Sequence, residues 1–252
     1  MSTTMTMTQE KATTQTKTAT TLPSLQLVAQ PLTHESWAPY GDVIQGSNDP
    51  STMPKHVITN TITANPEIGH KFNRISPITS LYPTSPSTPS YQGKPHTAIN
   101  VIRVGPPKGL TLDGTCQFQV RMLERHAATS QAFIPMNKST KDWDEFAQGD
   151  EAKRERLQQT KEAGGMLVVG CLSQPDGQPE LSTLKVFVAR PDQGVCYHAG
   201  IWHHSLVSFT RSDIASVDTQ ITTDGSLLID LEIVRRQPEQ QPFALVQLPK
   251  IV

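Results

Sequence analysis

The sequence predicts a mainly β protein, a sandwich or small barrel with a few peripheral helices. Short apolar or alternating runs recur with turn formers roughly every ten residues, the pattern of many short strands. Metal- or proton-handling side chains cluster on such runs: Glu124, His126 and Gln131 lie in a stretch that reads as a hairpin, and His198, His203 and His204 fall close together beyond it. These two stretches point to one polar site inside a β structure.

With 252 residues the chain can bury a core in one domain without staples. A net charge of -1 with mixed signs offers neither a basic stripe for nucleic acid nor an acidic block, so a small-molecule substrate is the expected partner. Cys116, Cys171 and Cys196 are odd in number, widely spaced and not arranged for zinc, as expected of reduced thiols in a soluble cytoplasmic protein. No apolar run approaches the roughly 18 residues of a membrane helix, and the first twenty residues lack the apolar core of a secretory signal.

Residues 1–22 are Thr-rich and apolar-poor, and are expected to form a disordered tail ahead of a single domain at 23–252. Thr33 to Ile44 reads as one helical turn, stopped by Pro39 and leading into a strand, with His34 at the surface. Pro77, Pro83, Pro86, Pro89 and Pro95 among Ser and Thr make 76–97 a long loop, the first of two insertions. Ala98 to Val104 has apolar residues on both faces and reads as a buried strand. Arg103 on that strand needs an anion, either a carboxylate of the fold or one of a substrate.

Phe118, Val120 and Met122 alternate with Gln119 and Arg121, so in an unbroken strand Glu124 and His126 follow the apolar residues inward. A lone inward His is more often a satisfied core residue than a ligand, but E-x-H-x4-Q spacing adds a Glu and a Gln beside it. The second insertion, 139–165, reads as a charged, exposed helix opening at Ser139 and ending at Gly164-Gly165. Strands follow at 165–172 and 183–189, joined through the turn former Pro175-Asp176-Gly177. In the histidine stretch His203 shares parity with Val207 and Phe209 and should face inward, while His204 alternates with it. Residues 213–218 form a short strand. Leu227, Ile229, Leu231 and Ile233 alternate with Asp230 and Glu232 in a last half-buried one. No Gly-rich phosphate loop, G-x-S-x-G elbow or internal repeat is present.

The motifs E-x-H-x4-Q (Glu124 to Gln131) and H-x-G-x2-H (His198 to His203) resemble the two motifs of the cupin superfamily. That resemblance implies a cupin-like double-stranded β-barrel of jelly-roll type. It puts Glu124, His126, Gln131 and His203 on the four metal-ligand positions, where Mn or Ni is the divalent ion two imidazoles and a carboxylate would suit. Glu and Gln replace the usual His and Glu.

A closer resemblance is to the ureidoglycolate lyase family. It rests on L-E-R-H-x4-Q-A-F-I-P, on Y-H-x3-W-H-H, on Ala38 to Ile44, on Pro179 to Leu184 and on Gln193 to His198. It implies a cytoplasmic homodimer that cleaves (S)-ureidoglycolate to glyoxylate and urea in allantoin breakdown. Under it His126 or His203 is the base, oriented by Glu124, and the other imidazole or Tyr197 protonates the leaving urea. Arg103, Gln131, His198, Trp202 and His204 then hold substrate. The competing expectations are an amidohydrolase that releases ammonia and a non-enzymatic cupin that binds a small acid. The segment after Asp218 does not match the family pattern.

Overall fold

A computed structural model describes residues 23–47, 49–61, 70–82, 95–108, 110, 115–136, 165–223, 226–228 and 230–248. The expected tail, most of the 76–97 loop and all but the last residue of the 139–165 insertion lie outside them.

β1 (Leu25–Val28) and β2 (Gln30–Pro31) precede the one-turn α1 (His34–Trp37), which Thr33 opens through a capping box with Ser36. β3 (Gly41–Ile44) follows Pro39, and β4 (Ile58–Thr61) and β5 (His70–Asn73) make a separate two-stranded ribbon. Next come β6 (Pro95–Val104), β7 (Gln117–Val120), β8 (Met122–His126) and β9 (Gln131–Pro135). β10 (Met166–Cys171) pairs antiparallel with β11 (Lys185–Ala189), and Gly177 between them takes the left-handed φ of 85° that the turn requires. β12 (Gly194–Tyr197), β13 (Trp202–His203), β14 (Val207–Ser208) and β15 (Ser212–Thr223) lead to β16 (Ser226–Leu228), β17 (Leu231–Arg235) and β18 (Ala244–Gln247).

The strands stack as three layers. A seven-stranded sheet, in the order β17-β8-β13-β10-β11-β2 with β14 also on β10, lies in the middle. One of its faces packs against the three-stranded sheet β1-β18-β7 through Val120, Leu123, Leu167, Val169, Val186, Trp202 and Val246. Its other face meets the six-stranded sheet β16-β15-β9-β12-β3, with β6 on β15, through Trp37, Tyr40, Phe133, Val168, Phe187, Tyr197 and Ile214. β10 is therefore buried on both faces, which is why its sequence is a continuous apolar run. The fold is mainly β, as expected.

Gly41 shows how tightly the layers close. A Cβ there would sit 1.8 Å from the carbonyl oxygen of Cys196, so only glycine lets β3 lie against β12 beneath the Trp37 indole.

Four local expectations need correction. The run from Phe118 to His126 is two strands, because the chain leaves the three-stranded sheet after Val120 and joins the central one at Met122. Arg121 marks the crossing, its guanidinium donating to the carbonyls of Gln237 and Gln240. The strand around Ala98 is not buried. Among the described residues β6 pairs with β15 alone, and its outer face leaves Ile99 76% and Val101 62% exposed. The 213–218 strand belongs to the twelve-residue β15, the spine joining β6, β9 and β16. Finally, the last alternating run is broken: β16 ends at Leu228, β17 starts at Leu231, and Asp230 between them is buried.

Candidate active site

β8 separates chemistry from structure by alternation. Val120 and Leu123 both pack in the first core, so parity shifts by one where the strand breaks at Arg121. Leu123 and Arg125 therefore face the three-stranded sheet, and Met122, Glu124 and His126 face the six-stranded one. The inward direction of Glu124 and His126 is as expected, but it arises from a broken strand rather than an unbroken one. β13 brings His203 directly opposite Glu124, and β17 brings Leu231 opposite His126.

His126 and Asp230 form the deepest polar pair. Nδ1 of His126 lies 3.2 Å from Oδ1 of Asp230, with the side chains 7% and 3% exposed. Asp230 also accepts hydrogen bonds from the Ala128 amide and the Thr129 hydroxyl. Burial alone would raise its carboxyl pKa, but the bond and charge of His126, with those two donors, hold it below the usual value. With Asp230 accepting from Nδ1–H, the neutral form of His126 has its lone pair on Nε2, the tautomer a general base needs.

His203 is neutral. Its Nδ1 lies 3.0 Å from the Ile201 carbonyl, which accepts only from a protonated nitrogen, so Nε2 carries the lone pair. Burial first, then the charge of His126, pushes its pKa down to about 3. Nε2 is buried without a hydrogen-bond partner, and the nearest carboxylate oxygen, Oε1 of Glu124, is 3.8 Å away. The ring is sandwiched, with Tyr197 stacked at 4.2 Å between centroids and His126 at 6.0 Å. Oε2 of Glu124 accepts from the Ser205 hydroxyl at 2.9 Å. Tyr197 is fully enclosed, and burial, then the charge of Glu124, raises its pKa far above the ordinary phenol value. It therefore acts as a phenol that can donate a hydrogen bond, not as a ready source of protons.

Opposite Tyr197 in register stands Gln131, and opposite Gln131 stands Asp218. Asp218 receives the amides of Asn100 and Gln220 at 2.9 Å each, with that of Gln131 at 3.5 Å. The six-stranded sheet thus presents an amide-and-carboxylate surface next to the histidines.

The other expected site residues are elsewhere. Arg103 is on the outer face of β6 in a two-pronged pair with Asp213, both bonds 2.7 Å, so its anion is a carboxylate of the fold. His198 is half-exposed and pairs with Asp42 at 3.0 Å, a bond that raises its pKa. Trp202 is in the first core, where its indole N–H donates to the Gly177 carbonyl beneath the Arg125 guanidinium. His204 meets Phe118 edge-on, and burial lowers its pKa.

Among the described residues no three His, Cys, Asp or Glu side chains converge as ligands. Nδ1 of His126 is taken by Asp230, which leaves Nε2 as the nitrogen of that ring open to a proton or a ligand.

Asp230 was invisible to sequence reasoning because its alternation with Leu231 and Ile233 marks it as outward. A signal does exist, in that an acidic residue between two short β runs can turn back into a fold. Asp218 was likewise read only as the end of a strand.

Comparison with known proteins agrees with the family that the sequence motifs resemble. A family model described as "Ureidoglycolate lyase" matches residues 24–239. The ureidoglycolate lyase of Schizosaccharomyces pombe is 30% identical over 186 residues, covering 74% of this chain and 80% of that protein. The ureidoglycolate lyases of Escherichia coli K12 and of Shigella boydii are each 31% identical over 123 residues, 48% of this chain. The match spans 56% of each of these bacterial proteins.

Proposed function

Because the chain belongs to the ureidoglycolate lyase family, we propose that it cleaves ureidoglycolate to glyoxylate and urea, as a carbon–nitrogen lyase. The observation that carries the chemistry is the buried His126–Asp230 pair stacked beside His203, whose Nε2 is buried without a hydrogen-bond partner.

Ureidoglycolate is a carbinolamide, with a hydroxyl and a ureido nitrogen on one carbon. His126 Nε2 takes the hydroxyl proton, the oxygen's electrons form the C=O of glyoxylate, and the C–N bond breaks towards nitrogen. The imidazolium formed is stabilised by Asp230 and returns the same proton to the leaving urea nitrogen, so no net proton is consumed. His203, neutral and with a free Nε2, accepts a hydrogen bond from a ureido N–H. Gln131 supplies further hydrogen bonds to the same group from the opposite sheet. Tyr197 holds the His203 ring in place by stacking, and the Ile201 carbonyl holds its Nδ1–H. Such proton transfer by a positioned imidazole contributes on the order of 10²–10⁴ in rate.

The same reading extends to a place in allantoin degradation, to a cytoplasmic location and to a homodimer. An odd number of widely spaced cysteines, Cys116, Cys171 and Cys196, suits a reducing compartment. Ile99, Val101 and Ile134 on the outer face of the six-stranded sheet supply an apolar surface that a second copy would cover. Incubation of the protein with (S)-ureidoglycolate, with glyoxylate, urea and ammonia followed together, tests the reaction. Glyoxylate and urea in equal amounts are expected; ammonia in place of urea would establish the amidohydrolase instead, and saturable binding without turnover the non-enzymatic cupin.

A further inference from the structure

We propose that Arg235 binds the carboxylate of the substrate and so selects ureidoglycolate over uncharged carbinolamides; this rests on the lyase reading given above. Glu124, Asp218 and Asp230 put three carboxylates around the site, so an anionic substrate needs a cation to offset them. The neighbouring arginines are engaged elsewhere. Arg103 is held by Asp213 on the outside. Arg125 is held by Glu232 and Ser173 on the far face of β8. Arg121 is held by two carbonyls, and Arg236 lies over the Phe243 ring at 4.9 Å.

Arg235 differs in both direction and occupancy. Val234 packs in the first core and Arg236 covers Phe243 of that same core, so Arg235 between them projects from the opposite face, the one that carries Glu124 and His126. Strand pairing agrees: Ile233 stands opposite Glu124 and Arg235 opposite Met122, and directly opposed residues share a face. Two positions of strand separate Arg235 from the level of Glu124, about 7 Å, a distance an extended arginine side chain can reach across. Among the described residues β17 is the edge strand of its sheet, next to β8. Arg235 is exposed and makes no ion pair with any described residue. A guanidinium so placed offers its planar fork to a carboxylate at the mouth of the site while the ureido group lies deeper, between His203 and Gln131.

The test compares two substrates of the same chemistry, (S)-ureidoglycolate and N-(hydroxymethyl)urea, which is the carbinolamide without the carboxylate. Urea release is measured for the full chain and for its Arg235→Ala and Arg235→Lys variants, with circular dichroism to confirm the fold. Arg235→Ala should raise KM for ureidoglycolate by roughly 10²-fold with kcat within a few-fold, leave kcat/KM for hydroxymethylurea unchanged, and Arg235→Lys should recover part of the loss. An unaltered KM for ureidoglycolate, or equal losses on both substrates, overturns the assignment alone. A wild-type protein that releases no urea from ureidoglycolate overturns the lyase reading and this assignment with it.

Discussion

The two faces of β8 use similar residue types to opposite ends. On one face Arg125 is saturated: Glu232 and Ser173 take its donors at 2.9–3.1 Å, Trp202 lies beneath it, and Ser173 passes the contact on to the Gly200 carbonyl. On the other face Nε2 of His203 is buried with no partner, beside a His126 that is held from one side only. Burying a polar group without a hydrogen bond costs about 1–3 kcal/mol. The saturated face thus stabilises the strand, while the unsaturated face keeps a lone pair available for substrate. Both are positioned by the same five residues.

The largest expected effect is on the unsaturated face. His126→Ala should lower kcat by about 10³-fold or more in the folded fraction, because the removed imidazole is the proton carrier, and it should also lower the thermal midpoint, because Asp230 loses its buried partner. Near-normal turnover by this variant would take His126 out of the mechanism. Asp230→Asn comes next, with kcat lower by about 10²-fold. An amide there can donate to Nδ1 and favour the wrong tautomer, and a shifted kcat–pH profile would separate that effect from simple loss of fold.

The saturated face should answer in stability instead. Arg125→Leu removes the link from β8 to β17 and to the loop before His203. Chemical denaturation should show a loss of about 2–4 kcal/mol, with specific activity of the folded fraction within a few-fold; a selective collapse of kcat would break the division between the faces. His203 provides a pH test. Its folded pKa is depressed to about 3, so the unfolded chain binds the proton first as pH falls. The stability due to its neutral form is complete above the ordinary histidine pKa of about 6.5. It is lost progressively between there and about 3, and His203→Phe should flatten that part of the stability–pH curve. The smallest effect is expected of Arg103→Ala, which should leave KM and kcat unchanged, since its partner is Asp213 on the outer surface.

The sequence made the β class and the two histidine stretches legible because period-two alternation and turn residues are local signals. It also indicated the inward side of Glu124 and His126, though through a strand that is in fact broken: Arg121 preserves the alternation on paper while the chain changes sheet. Arg103 misled for a different reason. An apolar residue on each side of a charge reads as burial, but β6 lies on the flank of its sheet and shows Ile99 and Val101 to solvent. Asp230 escaped notice because its partner His126 is a hundred residues away in sequence, and no periodicity encodes a pairing of that kind.

The parallel pairing of β1 with β18 sets Leu25 beside Ala244, and β17 supplies its pairing to β8 almost as late. Folding therefore has to close its longest loops last, which slows a chain dominated by non-local strand pairs. On the ribosome the first strand must wait, unpaired, until nearly the whole described chain has emerged, exposed meanwhile to wrong partners. Since Asp230 lies just before β17, a chain cut ahead of it lacks both β18 and the carboxylate behind His126. Catalytic competence then waits for the same late strands that close the fold.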